Sequence, residues 1–333
     1  MKLLFQELKG LLTQTYQTIW VLLKIMIPVS IVIKLIQEFD LLHYFGDVLS
    51  PIMQIVGLPG ETGIIWASGM LINIYAALLA YIALAPDLAL THAQISVLFT
   101  IILVAHTFPV ELQIASKAGV KLRSMFLIRF GGAIVLGILL NIGYTYFGYL
   151  QEPAILSTLL TPVNDSIWMW ALNELKNYFI IALIIFTLLL TLKIFEKLGI
   201  INLISRLLEP VLSVLGIRKE VIPIALIGLT LGIAYGGAII IKESKNKKIS
   251  GRDIFYTLTL MGLCHSMIED TLLMFSFGGH VSGILFARII FALIVSFLIV
   301  KITSKMSQKR FDAWFIKKSF LKHREEESEE QNQ

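Results

Sequence analysis

An ungapped self-match at a shift of 159 residues constrains this chain more than any other feature. At that shift Lys34 falls on Lys193, Pro51 on Pro210, Gly57 on Gly216, Glu61 on Glu220 and Gly69 on Gly228. Further along, Thr100 meets Thr259, His106 meets His265, Gly119 meets Gly278 and Arg129 meets Arg288. Two near matches are chemical: Thr107 lies opposite Ser266, and Glu111 opposite Asp270. Shared Leu or Ile would carry little weight in a sequence that is 56% hydrophobic. Aligned Pro, Gly, His and charges carry more, because each is scarce here and has its own structural role. A duplicated unit must therefore fold twice.

The medium in which it folds follows from composition. Only 15% of residues are charged, against about 25% in ordinary soluble domains, and the mean hydropathy is +0.80. The expected fold is an all-α polytopic membrane protein. The net charge of +5 sits mostly in short loops and the tail, which speaks to orientation in a lipid bilayer and not to nucleic acid. Cys264 is the single cysteine, so no intramolecular disulfide can form. Lys2 and Lys9 precede a polar, amphipathic stretch, and no small-residue cleavage site follows the first apolar run, so the N-terminus does not read as a secretory signal.

A spanning helix needs about 20 mainly apolar residues. Clear runs cover roughly 18–37, 63–86, 94–115, 124–149, 177–195, 221–242, 254–276 and 281–302, with weaker ones at 39–58 and 198–217. Lys and Arg in short loops mark the cytoplasmic side. That places Lys117–Arg123, Lys242–Lys248 with Arg252, and the tail from Lys301 to Arg324 inside. The connection 150–176 has no basic residue before Lys176 and suits the outside. These assignments agree only if both weak stretches cross, which predicts about ten membrane segments as two five-segment inverted repeats, a layout shared by many secondary transporters. The competing layout has eight spans and two interfacial helices. The predicted divisions are a cytoplasmic amphipathic N-terminus (1–17), repeat one (18–149), an extracytoplasmic connector (150–176), repeat two (177–302) and a cytoplasmic basic and acidic tail (303–333). In that tail Phe311, Trp314, Phe315, Phe320 and Leu321 alternate with basic residues, the pattern of an interfacial helix. Glu325–Gln333 reads as disordered.

Ionisable groups at membrane depth are expensive, and their default reading is functional. One repeat carries His106, Thr107, Pro109 and Glu111; the other carries His265, Ser266, Glu269 and Asp270. His265 and Glu269 are four apart and would share a helix face. His106 and Glu111 are five apart, but Pro109 between them predicts a kink or break. Such a cluster can hold a divalent metal through His106, Glu111, His265 and Glu269, relay protons, or hydrogen-bond a polar organic solute. The bland alternative puts the acids at span ends in water, with the histidines satisfied by neighbouring helices. A second motif, one span earlier, contributes Asn73, Tyr75 and Tyr235 as substrate-binding residues, with Gly236–Gly237 reading as close helix packing. Lys34, Lys193, Arg129 and Arg288 read as snorkelling side chains. Lys24, within the first span, reads as facing a cavity. Neither copy has two His at helical spacing around a Glu, so metalloprotease chemistry is excluded and no enzyme activity or cofactor is expected.

The duplicated unit, a Gly-containing span followed by one with a polar break, resembles the nucleoside-recognition or Gate domains. These occur in nucleoside-recognition and spore-maturation membrane proteins and, as a pair, in the membrane part of bacterial ferrous iron permeases. The resemblance covers about residues 15–302. It implies a permease in the cell inner (plasma) membrane, with both termini cytoplasmic, moving a nucleoside-like solute or a divalent cation, and it allows a homo-oligomer. The chain has no Gly-x-x-x-x-Gly-Lys-Ser/Thr loop, so nucleotide-driven uptake by this chain alone is not expected. The other class of function in view is a non-transporting membrane assembly or signalling protein.

Overall fold

The computed structural model describes residues 2–39, 41–154, 166–244 and 249–322. Part of the connector (155–165), part of the basic loop (245–248) and the acidic tail Glu325–Gln333 lie outside the described residues. Among the described residues all regular structure is helical, and five helical segments are long and apolar enough to cross a bilayer. They are Lys9–Glu38, His92–Lys117, Leu122–Tyr146, Ile167–Lys197 and Ser282–Thr303.

The shift of 159 reappears in the element boundaries. α1 (Lys2–Glu38) corresponds to α8 (Ile167–Lys197), and α2 (Leu41–Ile55) to α9 (Ile200–Val214). The short pair α3 (Thr62–Leu71) and α4 (Ile74–Leu88) corresponds to α10 (Ile222–Leu231) and α11 (Ile233–Glu243). α5 (His92–Val104) and α6 (Phe108–Lys117) correspond to α12 (Gly251–Leu263) and α13 (Glu269–Ser276). α7 (Leu122–Tyr146) matches a π-helical turn (Ser282–Ala287) that continues into α14 (Arg288–Thr303). Even the caps agree, since Thr91 with Gln94 and Ser250 with Asp253 each form a capping box.

The runs 63–86 and 221–242 are not single straight helices; each folds back on itself. In a continuous helix Gly69 and Ala77 would be about 12 Å apart, yet a Cβ on Gly69 would lie 3.0 Å from the Ala77 Cβ. A Cβ on Gly236 would likewise lie 2.7 Å from the Gly228 Cα. Small residues on both limbs let each hairpin close. Its tip lies at Ile72–Asn73 in one half, where the extended Asn73 caps α4 through Ala76 N. In the other half the tip is Gly232, at φ +108°, a conformation suited to glycine. The weak stretches α2 and α9 have 15 residues each. At about 1.5 Å per residue they reach about 22 Å, short of a hydrocarbon core of about 30 Å.

The ends of the two broken helices are held by different parts of the chain. α5 begins beside the connector, with His92 N donating to Glu152 O and Ala93 N to Leu150 O. α12 begins beside α15 (Gln308–Phe315), where Arg252 donates to the Thr303 and Met306 carbonyls. The loop 117–123 sits at this second end too: Lys121 N donates to Phe315 O and Lys317 N to Gly119 O. Among the described residues, Arg252, the basic loop 117–123 and the basic tail around Lys317 thus gather at one end. Outside the spans, Asp253 accepts from Arg218 at 2.9 and 2.5 Å and raises the guanidinium pKa above its ordinary value.

Other readings shift as well. Residues 1–17 are not a separate element, since α1 is continuous from Lys2. On α15 Phe311 is fully buried and Phe315 partly buried, both against Phe255, while Trp314 is exposed. Lys24 is exposed, with its ammonium over the Trp20 ring. Lys34 pairs with Glu38 at 2.6 Å.

Candidate functional site

α5 stops at Ala105 and α6 starts at Phe108; α12 stops at Cys264 and α13 starts at Glu269. Each break contains a residue in the left-handed region, Thr107 at φ 51° and Ser266 at φ 46°. Non-glycine residues there are strained by about 1–3 kcal/mol and persist only when the surroundings enforce them. Here the enforcing contact is the hairpin limb: Thr107 N donates to Gly69 O at 2.9 Å and Ser266 N to Gly228 O at 3.4 Å. Pro109 opens α6 near its first turn and sits just beyond the break.

The breaks bring the histidines together. His106 Nε2 lies 3.2 Å from His265 Nε2, and both residues are buried, at 5% and 2% exposure. His106 Nδ1 is 3.1 Å from Ile102 O and His265 Nδ1 is 2.8 Å from Met261 O. A carbonyl only accepts, so both Nδ1 atoms carry protons and donate, and a ring that is neutral in this arrangement turns its lone pair outward at Nε2. Glu111 Oε1 completes the convergence, 3.3 Å from His106 Nε2 and 3.4 Å from His265 Nε2.

Three electron-pair donors therefore face a common point at separations of 3.2, 3.3 and 3.4 Å. A tetrahedral zinc-like ion with bonds of about 2.0–2.1 Å has ligand-to-ligand edges of about 3.3–3.4 Å. The triangle matches one face of that tetrahedron. Asp270 is the nearby fourth donor: it and the two histidines each offer a ligand atom within 4.8 Å of the others.

Glu269 does not take the part that helical spacing predicted. The chain is not helical between His265 and Glu269, so the four-residue relation fails, and Glu269 opens α13 half-buried while Asp270 is buried. The five-residue pair His106 and Glu111 meets because the break intervenes. Nor do the acids lie at wetted span ends, since Glu111 is 6% and Asp270 5% exposed. Asn73 caps a hairpin limb, and Tyr75, partly buried, lies within electrostatic range of Glu269 and Asp270. Tyr235 is 65% exposed and stands apart from the cluster.

The sequence reading missed the arginines. Arg129 is 1% exposed and does not snorkel. Its Nε donates to Val104 O at 3.1 Å, its Nη2 to His106 O at 3.0 Å, and its Nη1 meets Glu111 Oε2 at 2.5 Å. It thereby caps the broken end of α5 and holds Glu111 with one oxygen free for the histidines. Arg288 is also fully buried; it reaches Thr271 Oγ1 at 3.4 Å and lies against the Cys264 thiol, within electrostatic range of Asp270, while its Nε and Nη1 have no hydrogen-bond partner. The signal was present: both arginines align at the shift of 159 on spans otherwise rich in Gly and Ile.

Helices broken at mid-length around a buried polar cluster define a polytopic helical membrane protein. Residues 19–121 match the Gate family model, described as nucleoside recognition. The uncharacterized membrane protein YvoD of Bacillus subtilis (strain 168) is 27% identical over 291 residues, covering 85% of this chain and 91% of that protein. No solved structure matches.

Proposed function

We propose that this protein is a Gate-type membrane permease that moves a divalent first-row transition-metal cation through the His106–His265–Glu111 centre, with Asp270 as the fourth ligand. The observation that carries this reading is the triangle of converging lone pairs. Left empty, three acceptors this close repel one another; a cation between them removes the repulsion and uses ligands that suit Zn, Fe or Ni. Imidazole rings with centroids 4.9 Å apart leave room for an ion and not for a nucleoside between them.

The proposed topology has two inverted halves of three crossings each, both termini being in the cytoplasm of a plasma-membrane protein. In each half α1 or α8, the broken helix, and α7 or α14 cross. α2 and α9 lie along opposite interfaces, and the two hairpins enter from opposite faces to meet the breaks. Non-helical backbone at membrane depth is tolerated where protein or a cavity surrounds it, and discontinuous helices are where transporters place their cargo. The basic segments gathered at one end support the orientation.

Thermal unfolding of the purified full chain, titrated with Zn²⁺, Fe²⁺, Mn²⁺ and a panel of nucleosides, tests the reading. A ligand that binds only the folded state at a hundredfold excess over its Kd stabilises by about 2.7 kcal/mol. Metal is expected to raise Tm in the native chain and not in His106→Ala with His265→Ala. Stabilisation by nucleosides alone, or by metal in the double variant, would refute it.

A further inference from the structure

A second ionisable group lies within a spanning helix, away from the histidines, and no reading above uses it. Glu174 is on α8, about 10 Å along from Ile167, where α8 packs against α1. Ser30 Oγ of α1 donates to Glu174 Oε2 at 3.0 Å, and Asn177 and Tyr178 approach the same carboxyl. Beside it is a cavity of about 20 Å³ whose polar lining is Gln37, Asn173, Glu174 and Asn177. That is room for one water-sized guest, since about 10–15 Å³ suffices. The amide nitrogen of Asn173 is buried there with no hydrogen-bond partner. A water in the cavity would accept from it and contact the carboxyl.

The charge around Glu174 is the decisive contrast. Glu111 has Arg129 at 2.5 Å, whereas among the described residues Glu174 has no ion pair. On α1 the ionisable pair Lys34 and Glu38 is satisfied internally. α8 itself offers Tyr178 and, turned out to the exposed face, Lys176, and the α4 residues lining the cavity, Ile82 and Ala83, offer nothing. α9 and α13, also packed on α8, carry Arg206, Glu209, Glu269 and Asp270. A partly buried carboxylate packed between helices without a counter-charge is costly, and a proton removes the cost. At the shift of 159 its counterpart is Thr15, which bonds its own helix at Leu11 O, so only one half has this group.

We propose that Glu174 is a proton-carrying carboxyl, a coupling site separate from the cation centre, filled from the face where α8 begins. A proton arrives through the cavity water and an O–H bond forms at Glu174; on release that bond breaks and the proton returns to water. The coupling role rests on the permease reading, but the protonation does not.

Two measurements on the full chain in liposomes separate the claims. Infrared difference spectra across a pH titration are expected to show a protonated-carboxyl C=O band that is lost in Glu174→Gln and kept in Glu111→Gln. Gln retains the acceptor for Ser30, so the fold is preserved. A band that survives Glu174→Gln, or one that Na⁺ abolishes at fixed pH, overturns the assignment. In Zn²⁺ uptake a pH gradient of one unit, about 1.36 kcal/mol per proton, is expected to drive about tenfold accumulation per coupled proton in the native chain and none in Glu174→Gln. Equal accumulation in the variant overturns the coupling. If the native chain moves no Zn²⁺, the cation reading fails, while the infrared band still decides the protonation of Glu174.

Discussion

Replacing Arg129 with Met removes the group that holds the first half-site together. The change deletes three interactions at once: those to Val104 O and His106 O, and the 2.5 Å contact with Glu111. It also strands Glu111, 6% exposed, without its counter-charge. Breaking a buried pair by removing one partner costs about 3–5 kcal/mol, chiefly through the abandoned charge. At about 2–4 °C per kcal/mol for chains of 150–250 residues, Tm should fall by about 10 °C. Arg288→Met provides the contrast, because among the described residues that guanidinium makes no ion pair within 4 Å and touches only Thr271 and Cys264, so it should cost less despite equal burial. Adding Glu111→Leu to Arg129→Met should recover part of the loss. The assay is thermal unfolding of the detergent-solubilised chain, with the double variant completing a mutant cycle. Equal losses for the two arginines, or no recovery in the double variant, would refute the argument that Arg129 acts through Glu111.

Other outcomes are open to the same assay. Gly232→Ala forces a side chain into φ +108° with its Cβ 2.6 Å from Ser266 Oγ, and should destabilise by about 1–3 kcal/mol. Gly10→Ala, in α1 with nothing within 4 Å of the added Cβ, should stabilise by about 0.5–1 kcal/mol. Metal stabilisation should disappear in Glu111→Gln less completely than in the double histidine variant, because Gln keeps one neutral oxygen donor.

The duplication, the paired histidines and the gathering of basic segments were legible because Pro, Gly, His and charge are scarce enough here to align without ambiguity. The hairpins were not. Residues 63–86 form one apolar run, and hydropathy is blind to a reversal of direction within it. Only Gly69 with Ala77, and Gly228 with Gly236, hinted that two limbs could touch. Helical spacing chose Glu269 over Asp270 because it assumed a helix where the hairpin limb holds Ser266 in a left-handed turn. Arg129 and Arg288 were assigned to headgroups from their distance to span ends, whereas broken helices leave carbonyls unpaired at mid-membrane, and a guanidinium fits them.

Cys264 gains a use from its place in this arrangement. The chain has one thiol, 1% exposed and next to His265 in the second break. No cysteine needs removing before a probe can be attached. At 1% exposure the thiol is shielded from alkylating reagents, so the rate of its labelling would measure how often the second break becomes exposed. The protein thus comes with its own single-site reporter, readable by intact mass and timed against added metal.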